Sequence, residues 1–192
     1  MKIYLVRHGQ TDFNLKNLLQ GSTDNPLNET GRQQAGQLAQ MLKDVPFDVI
    51  YSSPLKRALE TAQIIRESNV NRPPIILDDR LKEIDMGEWE GKYYPAIMEE
   101  YREMFERVKE DPFLYSPPGG EPFPAFVERI RSFLDDLRER DHNITLIVAH
   151  QMVNSVIRIL LEGADWREFW TRRQKNGEVW ILDLENKEVE AC

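Results

Sequence analysis

Two histidines of this chain stand just after apolar segments whose residues favour buried β-strands. His8 follows the segment 3–6 after one intervening residue, and His150 directly follows the segment 144–149. Ligands of open α/β sheets bind at the carboxyl ends of the parallel strands, so we expect both imidazoles at one edge of the sheet. There they could act as nucleophile or acid–base groups, bind an anion or hold a metal. Each histidine alone would also fit a hydrogen-bonded structural role, and His142, which precedes its strand, fits a solvated loop.

Two arginines are expected beside these histidines. Arg7 immediately precedes the first of them, and Gly9 allows the backbone there to approach a ligand closely. Arg57 comes just after Ser53-Pro54, which predicts the start of a helix behind another strand. Guanidinium groups match phosphate oxygens with paired donors, and helix N-termini add oriented N–H groups. The set indicates an oxyanion pocket, although Arg57 alone would also fit an exposed residue of a first helical turn.

No metal-binding motif accompanies the histidines. The sequence has no His-x₃-His pair, no His-Glu-x-x-His run and no pair of cysteines, so zinc, the competing interpretation, lacks a supporting motif. Gly-x₄-Gly-Lys-Ser/Thr and Asp-x-Asp-x-Thr segments are also absent, and Cys192 is too close to the end for a Cys-x₅-Arg loop. The sequence therefore predicts chemistry without a metal or a cofactor.

Strand and helix patterns alternate along the chain. Apolar and β-branched runs predict strands at 3–6, 47–51, 75–77, 143–149 and 177–184. Apolar residues at helical spacing predict helices at 30–43, from Ser53-Pro54 to about 65, and at 95–111, 123–140 and 152–162. This alternation predicts an α/β fold, a three-layer sandwich in which helices cover both faces of a mostly parallel sheet. We expect a single domain, 1–192, with residues 92–124 as a small helical lid insertion.

The composition is that of an ordinary folded domain with an acidic balance. The chain has 192 residues, 41% hydrophobic and 30% charged, a formal net charge of −8 and a pI near 5.0. This balance argues against nucleic acid or an anionic membrane surface as a partner, and no run of about 18 apolar residues could span a bilayer. The short apolar N-terminus and the single Cys192 predict a cytoplasmic protein. Since salt confines surface charge effects to about 8–10 Å, a locally positive pocket can still admit small phosphates.

Six sequence blocks carry a family resemblance. The first, Leu5-Val6-Arg7-His8-Gly9-Gln10-Thr11 with Asn14, resembles the signature of the histidine phosphatase superfamily, the phosphoglycerate-mutase-like enzymes. The other blocks resemble later segments of that family in the correct order: Gln20-Gly21 with Asp24, Pro26-Leu27 and Gly31-Arg32; Ser52-Ser53-Pro54-Leu55 with Arg57-Ala58 and Thr61-Ala62; Leu81-Lys82-Glu83-Ile84-Asp85 with Gly87, Trp89, Glu90 and Gly91; Pro118-Gly119-Gly120-Glu121; and Val148-Ala149-His150. An isolated Arg-His-Gly is common, but six ordered blocks between residue 3 and about 155 are specific.

The resemblance implies a role for each residue of the pocket. His8 would be the nucleophile that carries a phosphohistidine, which requires a neutral imidazole with one free nitrogen. Arg7, Arg57 and His150 would neutralise the phosphoryl oxygens. Glu83 would protonate the leaving oxygen and then activate water, which requires burial to raise its pKa. Neutral donors would come from Asn14, Gln20, the Gly21 backbone and the Gln151 backbone.

Two positions stay ambiguous at this point. Glu83 and Asp85 lie two apart in a strand-like segment and would face the same way, so only the resemblance favours Glu83. Gln151-Met152 stands where many members of the family have a pair of glycines, and the longer side chains are expected to narrow the pocket. That departure affects the choice of substrate more than the chemistry.

The residues favour a phosphatase for a small phosphomonoester over two alternatives. A cofactor-primed phosphoglycerate-type phosphomutase would use the same groups, but mutases of this resemblance tend to be longer. A protein that only binds phosphorylated ligands would not need the complete set. The resemblance suggests α-ribazole phosphate, phosphoserine, sugar phosphates and phosphoglycerates as substrates, and no sequence pattern indicates an oligomeric state. Tyr101 and Phe105, at helical spacing, are predicted to pack in the core rather than line the pocket.

Overall fold

A computed structural model describes residues 1–183 and 189–191, so Leu184, predicted to end the last strand, and Cys192 lie outside the described residues. The strands are β1 Lys2–Arg7, β2 Val49–Ser52, β3 Ile75–Leu77, β4 Ile144–Ala149, β5 Val179–Asp183 and β6 Val189–Ala191. The helices are α1 Asp12–Leu15, α2 Glu29–Leu42, α3 Lys56–Ser68, α4 Tyr94–Glu100, α5 Arg102–Glu110, α6 Phe123–Arg138 and α7 Gln151–Glu162. None of the helices within these ranges is long and apolar enough to cross a membrane.

The strands form one sheet in the order β3-β2-β4-β1-β5-β6. The first four are parallel, while β5 pairs antiparallel with β1, and β6 pairs antiparallel with β5. The register of the two central strands places Arg7 opposite Ala149 at their carboxyl ends. The residues that follow, His8 and His150, therefore leave the sheet side by side. This arrangement confirms the predicted α/β fold with a mostly parallel sheet.

Helices cover both faces of the sheet. On one face, Leu38 of α2 belongs to a buried cluster with Val6 of β1. On the other, Ile130 of α6 and Val156 of α7 pack in a cluster with Leu5. Side chains of neighbouring residues in a strand point to opposite faces of the sheet, so Leu5 and Val6 pack in different core clusters. The predicted three-layer sandwich is confirmed.

The predicted single helix at 95–111 is wrong, because this segment forms two helices that meet at Tyr101. Tyr101 has φ −107° and ψ 28°, outside the helical range, and its ring lies edge-on to Trp89 with 4.9 Å between centroids. Apolar spacing gives no sign of this break, because Ile97 of α4 and Val108 of α5 both pack in the same core cluster. The ends of the predicted strands differ from the structure by at most two residues within the described ranges. The same holds for the other helices except α3, which begins and ends about three residues later than predicted.

The start of α3 also differs from the prediction, because Ser53-Pro54 remain outside the helix. Leu55 is the N-cap residue and makes no side-chain capping bond. Ser53 instead continues the pairing of β2 with β4, because its N–H donates to the Val148 carbonyl at 3.1 Å. Its hydroxyl lies 2.8 Å from Nε2 of His150. Ser53, which the sequence suggests as a helix N-cap, thus contacts His150 at the carboxyl ends of the strands instead.

Gly87 occupies a position where a larger residue would not fit. Its φ is +52°, and a Cβ atom there would lie 2.3 Å from the Pro118 carbonyl oxygen and 2.5 Å from the Gly120 nitrogen. We expect Gly87→Ala to lower the free energy of unfolding by about 3 kcal/mol, because backbone strain and a clash with backbone atoms both oppose it. Unfolding in urea measures this difference.

Gly36→Ala provides the matched control for that substitution. Gly36 lies inside α2, and a Cβ atom there meets no other atom within 4 Å. Alanine is expected to raise the free energy of unfolding there by up to about 1 kcal/mol, because it favours the helical backbone. A Gly87→Ala protein as stable as the wild type would contradict the close approach of the Gly87 turn to the Pro118–Gly120 loop.

Candidate active site

A cavity of about 310 Å³ lies at the carboxyl ends of β1 and β4. Most of the site residues predicted from the sequence line it, namely Arg7, His8, Asn14, Gln20, Arg57, Glu83 and Gln151. His150 and Gly21 are not part of the lining, but each contacts a residue that is. The structure thus brings the predicted residues together at one edge of the sheet.

His8 is held in the tautomer that a nucleophile requires. Its Nδ1 lies 2.7 Å from the Gly9 carbonyl oxygen, and since a carbonyl only accepts, Nδ1 carries the proton and Nε2 does not. The side chain is only 3% exposed. This burial lowers the pKa of His8 well below the usual histidine value, and the charges of Arg57 and Arg7 lower the pKa further. His8 is therefore neutral near pH 7, with one nitrogen lone pair available.

His150 supports His8 from a fully buried position. The two ring centroids are 5.1 Å apart, and Nε2 of His150 contacts the Ser53 hydroxyl. Burial lowers the pKa of His150 well below the usual value, with the Arg57 charge as the next cause. His150 is thus neutral near pH 7, and an anion bound beside it would favour its protonated form.

Arg7 and Arg57 are anchored through their terminal nitrogens. Arg7 Nη1 donates to the Gln174 carbonyl at 2.8 Å. Arg57 donates from Nη1 to the Thr23 carbonyl at 2.7 Å and from Nη2 to the Gly21 carbonyl at 2.8 Å. Burial lowers the pKa of each guanidinium to about 10, so both remain cationic near pH 7. Two fixed positive charges therefore face the cavity in an otherwise acidic protein.

Three unpartnered nitrogens indicate the kind of ligand that fits here. Within the described residues, Arg7 Nε, Arg57 Nε and His150 Nδ1 are buried and have no hydrogen-bond partner. A buried polar group left unpaired costs about 1–3 kcal/mol, and more when it is charged, so native structures pair almost all of them. An oxyanion such as a phosphoryl group offers several acceptor oxygens to such donors. The arrangement matches the donors that an oxyanion would need.

Glu83 lines the cavity, and Asp85 does not. The Glu83 carboxylate accepts the Ile84 N–H at 3.1 Å and the Met152 N–H at 3.2 Å. Burial nevertheless raises the pKa of Glu83, as a proton donor requires. Asp85 accepts the Gly87 N–H at 2.8 Å and belongs to a turn rather than a strand. The two carboxylates therefore do not share a face, contrary to the sequence-based expectation.

Comparison with known proteins decides the family. The model of the histidine phosphatase superfamily (branch 1) matches residues 3–191. The chain belongs to this superfamily. Phosphoserine phosphatase 1 of Hydrogenobacter thermophilus is 36% identical over 188 residues, 97% of this chain and 88% of that protein. Adenosylcobalamin/alpha-ribazole phosphatase of Escherichia coli is 32% identical over 189 residues, 97% of this chain and 92% of that protein.

A solved structure supports the same assignment. The alpha-ribazole phosphatase of Shigella flexneri superposes with a TM-score of 0.86 at 31% identity, covering 100% of this chain and 95% of that one. The family match and the phosphatase relatives together make this protein a phosphoric monoester hydrolase. The predicted family and enzyme class are confirmed.

In this histidine phosphatase the predicted neutral donors occupy different places. Asn14 lies in α1, a helix too short for apolar spacing to predict, and its Oδ1 accepts the Thr11 backbone N–H at 3.1 Å. Gln20 Oε1 accepts the Thr11 hydroxyl at 2.9 Å. These bonds occupy the amide oxygens and leave both amide nitrogens for a ligand. Gly21 instead allows close packing, since a Cβ atom there would lie 2.3 Å from the Ile84 carbonyl oxygen.

Sequence reasoning missed most of the outer wall of the cavity, although Met152 was expected to narrow the pocket. It is mostly apolar and aromatic, with two cations at its border, and includes Leu18, Leu19, Met86, Trp89, Tyr94, Met98, Val108, Lys109, Tyr115, Met152, Phe169, Trp170 and Arg173. Phe105 packs in the core as predicted but also lines the cavity, whereas Tyr101 packs against the core and does not. Trp89 stands within a recognised sequence block, but helical spacing gives no sign that the other wall residues border a cavity.

The described residues show no metal cluster. No three His, Cys, Asp or Glu side chains within 1–183 and 189–191 are gathered as the ligands of a metal ion would be.

Proposed function

We propose that this histidine phosphatase hydrolyses a small phosphomonoester through a phosphohistidine on His8, with Glu83 as general acid and base. The observation that carries the proposal is the state of His8: neutral, fixed by the Gly9 carbonyl and free at Nε2. Around it lie the unpartnered nitrogens of Arg7, Arg57 and His150. A nucleophile and an oxyanion site at one edge of the sheet are the parts that phosphoryl transfer needs.

In the first step, the Nε2 lone pair of His8 attacks phosphorus in line with the leaving oxygen. The phosphorus–oxygen bond breaks as the phosphorus–nitrogen bond forms, and the proton of Glu83 moves to the leaving oxygen. Arg7 and Arg57 stabilise the negative charge on the three phosphoryl oxygens during this transfer. The alcohol leaves neutral, and the enzyme retains a phosphohistidine beside an ionised Glu83.

In the second step, the Glu83 carboxylate takes a proton from a water molecule. The resulting oxygen nucleophile attacks phosphorus, the phosphorus–nitrogen bond breaks, and its electron pair returns to Nε2 of His8. Inorganic phosphate leaves, Glu83 is again protonated and His8 is again neutral. Glu83 thus needs a pKa that allows both forms, and burial among cations and N–H donors supplies it.

Hydrolysis rather than mutase chemistry is supported by the relatives and by the small lid. The similar proteins named above are all phosphatases. We propose that 1–192 is one domain and that 92–124 acts as the lid, contributing Met98, Phe105 and Tyr115 to the wall. A mutase must keep water from the phosphohistidine, which demands a more complete cover.

The substrate class proposed is a small phosphorylated metabolite rather than a nucleic acid. The relatives' names point to phosphoserine and α-ribazole phosphate as the first compounds to try. A net charge of −8 repels extended polyanions but is screened enough to admit small ones. A single cysteine in the sequence supports a reducing, cytoplasmic setting.

The test is phosphate release in the presence of EDTA from phenyl phosphate, O-phosphoserine, α-ribazole 5′-phosphate, glucose 6-phosphate and 3-phosphoglycerate. We expect release from phenyl phosphate and a value of kcat/KM at least about ten-fold higher for one of the metabolites, because contacts beyond the phosphoryl group add binding. Faster conversion of 3- to 2-phosphoglycerate than phosphate release, after priming with a bisphosphorylated cofactor, would instead support the mutase. No release from any compound would exclude the phosphatase proposal.

A further inference from the structure

Arg173 is a cation of the cavity wall that the reaction at His8 does not use. It lies in the loop between the turn Trp166–Glu168 and β5, and its exposed side chain borders the cavity. Arg7 and Arg57 are buried and serve the phosphoryl group, whereas Arg173 is accessible to the part of a substrate that extends outward. This placement suits recognition rather than catalysis.

The fold leaves the Arg173 charge uncompensated. Its Nε donates to the Trp170 carbonyl at 3.0 Å. Among the residues that the structure describes, no carboxylate comes within salt-bridge distance of its guanidinium. Glu178, in the same loop region, is engaged elsewhere, since it accepts the Lys175 N–H at 2.7 Å and the Trp180 indole N–H at 3.2 Å.

Two cations close to Arg173 or to the cavity are paired, in contrast to Arg173. Arg172, next in the chain, forms ion pairs with Glu162 and Glu168. Lys109, the other cation at the border of the cavity, pairs with Glu106 at 2.6 Å. Unlike Arg172 and Lys109, Arg173 presents an unpaired guanidinium at the cavity wall, where it could bind an anion that the protein itself does not supply.

The charge of Arg173 acts on two other residues that line the cavity, Arg7 and Tyr115. The pKa of Arg7 is lowered mainly by burial, and Arg173 contributes to the lowering. The pKa of Tyr115, on the lid side, is raised mainly by burial, and Arg173 opposes that rise. The charge therefore acts within the space that a substrate bound at His8 would occupy.

We propose that Arg173 binds a second anionic group of the substrate, a carboxylate or a second phosphate, so that this enzyme prefers phosphomonoesters that carry two anionic groups. The inference rests on the proposed phosphatase function and adds a substrate class to it. A cavity of about 310 Å³ is at the lower limit of small-molecule sites and has room beyond a phosphoryl group. Its apolar walls would hold the short carbon skeleton between the two anions.

The experiment compares substrates that differ by the second anion alone. O-Phosphoserine is paired with phosphoethanolamine for a carboxylate, and 1,3-propanediol bisphosphate with 3-hydroxypropyl phosphate for a second phosphate. We expect Arg173→Met to lower kcat/KM for the doubly anionic member of at least one pair by about ten-fold, through KM more than kcat, because the contact exists before the transition state. For the singly anionic partner and for phenyl phosphate, the loss should be at least about five-fold smaller.

Two further variants keep the result decisive. Lys175→Met removes the same charge from the same loop, but Lys175 does not line the cavity, so we expect both members of each pair to be hydrolysed as by the wild type. Arg173→Lys should recover part of the preference, since it keeps the charge but not the planar pair of donors. The pair that responds identifies the anion as carboxylate or phosphate.

The inference is overturned if Arg173→Met lowers kcat/KM equally for both members of both pairs, or if Lys175→Met lowers it as much. Failure of the underlying function is a separate result. It would appear as a wild-type enzyme that gives no acid-labile phosphoenzyme with phenyl phosphate, whatever the behaviour of Arg173→Met.

Discussion

Replacing His8 by alanine is expected to lower kcat/KM with phenyl phosphate by at least about 10⁴-fold, because no other group can take over as nucleophile. His150 is the nearest imidazole, but it is fully buried and its Nε2 contacts the Ser53 hydroxyl. Initial rates of phosphate release at substrate concentrations well below KM measure the loss in kcat/KM. Rapid acid-free quenching with ³²P-labelled substrate should show an acid-labile phosphoenzyme in the wild type and none in His8→Ala.

His142→Ala is the matched control for that result. His142 lies before β4, away from the cavity, and contacts only the Tyr51 hydroxyl and ring. Its removal is expected to change kcat/KM by less than about two-fold, as for a surface substitution. Thermal unfolding of both variants separates lost chemistry from lost folding. Persistent labelling of a folded His8→Ala protein would contradict the assignment of the nucleophile.

The positions of the central strands follow directly from the sequence, and so does the meeting of the two histidines. The apolar segments before His8 and His150 can be buried on both faces only in a sheet covered by helices. In such a sheet, parallel neighbours end at the same edge, and the register of Arg7 with Ala149 completes the argument. Strong local patterns thus determine the fold and the core of the site.

The wall of the cavity could not be predicted in the same way. Phe105, Trp170 and Arg173 come from separate segments, and each has the local pattern of an ordinary helix or loop residue. A buried aromatic side chain can face the core on one side and a cavity on the other, as Phe105 does. Which side borders empty space depends on tertiary packing, and apolar periodicity carries no information about it.

The residue pattern alone could not separate Glu83 from Asp85, for a related reason. Alternation places residues two apart on the same face only within a strand. Here Asp85 turns away to accept the Gly87 N–H, and Gly87 itself has a positive φ. The glycine that allows this turn is visible in the sequence, but its conformation is fixed by its packing against the loop at Pro118.

The loss of kcat/KM caused by Glu83→Gln is expected to depend on the leaving group of the substrate. For alkyl phosphates, whose alkoxides are poor leaving groups, kcat/KM should fall by about 10³-fold, the usual contribution of a general acid. For 4-nitrophenyl phosphate the fall should be about ten-fold or less, since that leaving group departs without a proton. Water activation is also lost, so the phosphoenzyme should accumulate, and stopped-flow absorbance should show a burst of nitrophenolate before slow turnover.

The proposed acid role of Glu83 also predicts how the activity of the wild type changes with pH. The proposed mechanism requires the acid form of Glu83 for phosphoryl transfer to His8, and burial raises the pKa of Glu83 above the usual glutamate value. Activity on alkyl phosphates should therefore decline as the pH rises through that raised pKa, while neutral His8, whose pKa is lowered, sets the acid limb at lower pH. In Glu83→Gln the alkaline decline should disappear, because glutamine does not titrate.

Asp85→Asn tests whether the neighbouring carboxylate shares the role. An asparagine at this position still offers an oxygen to the Gly87 N–H, so the turn is preserved and kcat/KM should change by less than about three-fold for every leaving group. If Glu83→Gln lowered kcat/KM equally for alkyl and nitrophenyl phosphates, Glu83 would not be the general acid. If Asp85→Asn, rather than Glu83→Gln, lowered kcat/KM more for alkyl than for nitrophenyl phosphates, Asp85 would be the proton donor. That result would disagree with the position of Asp85 outside the cavity lining.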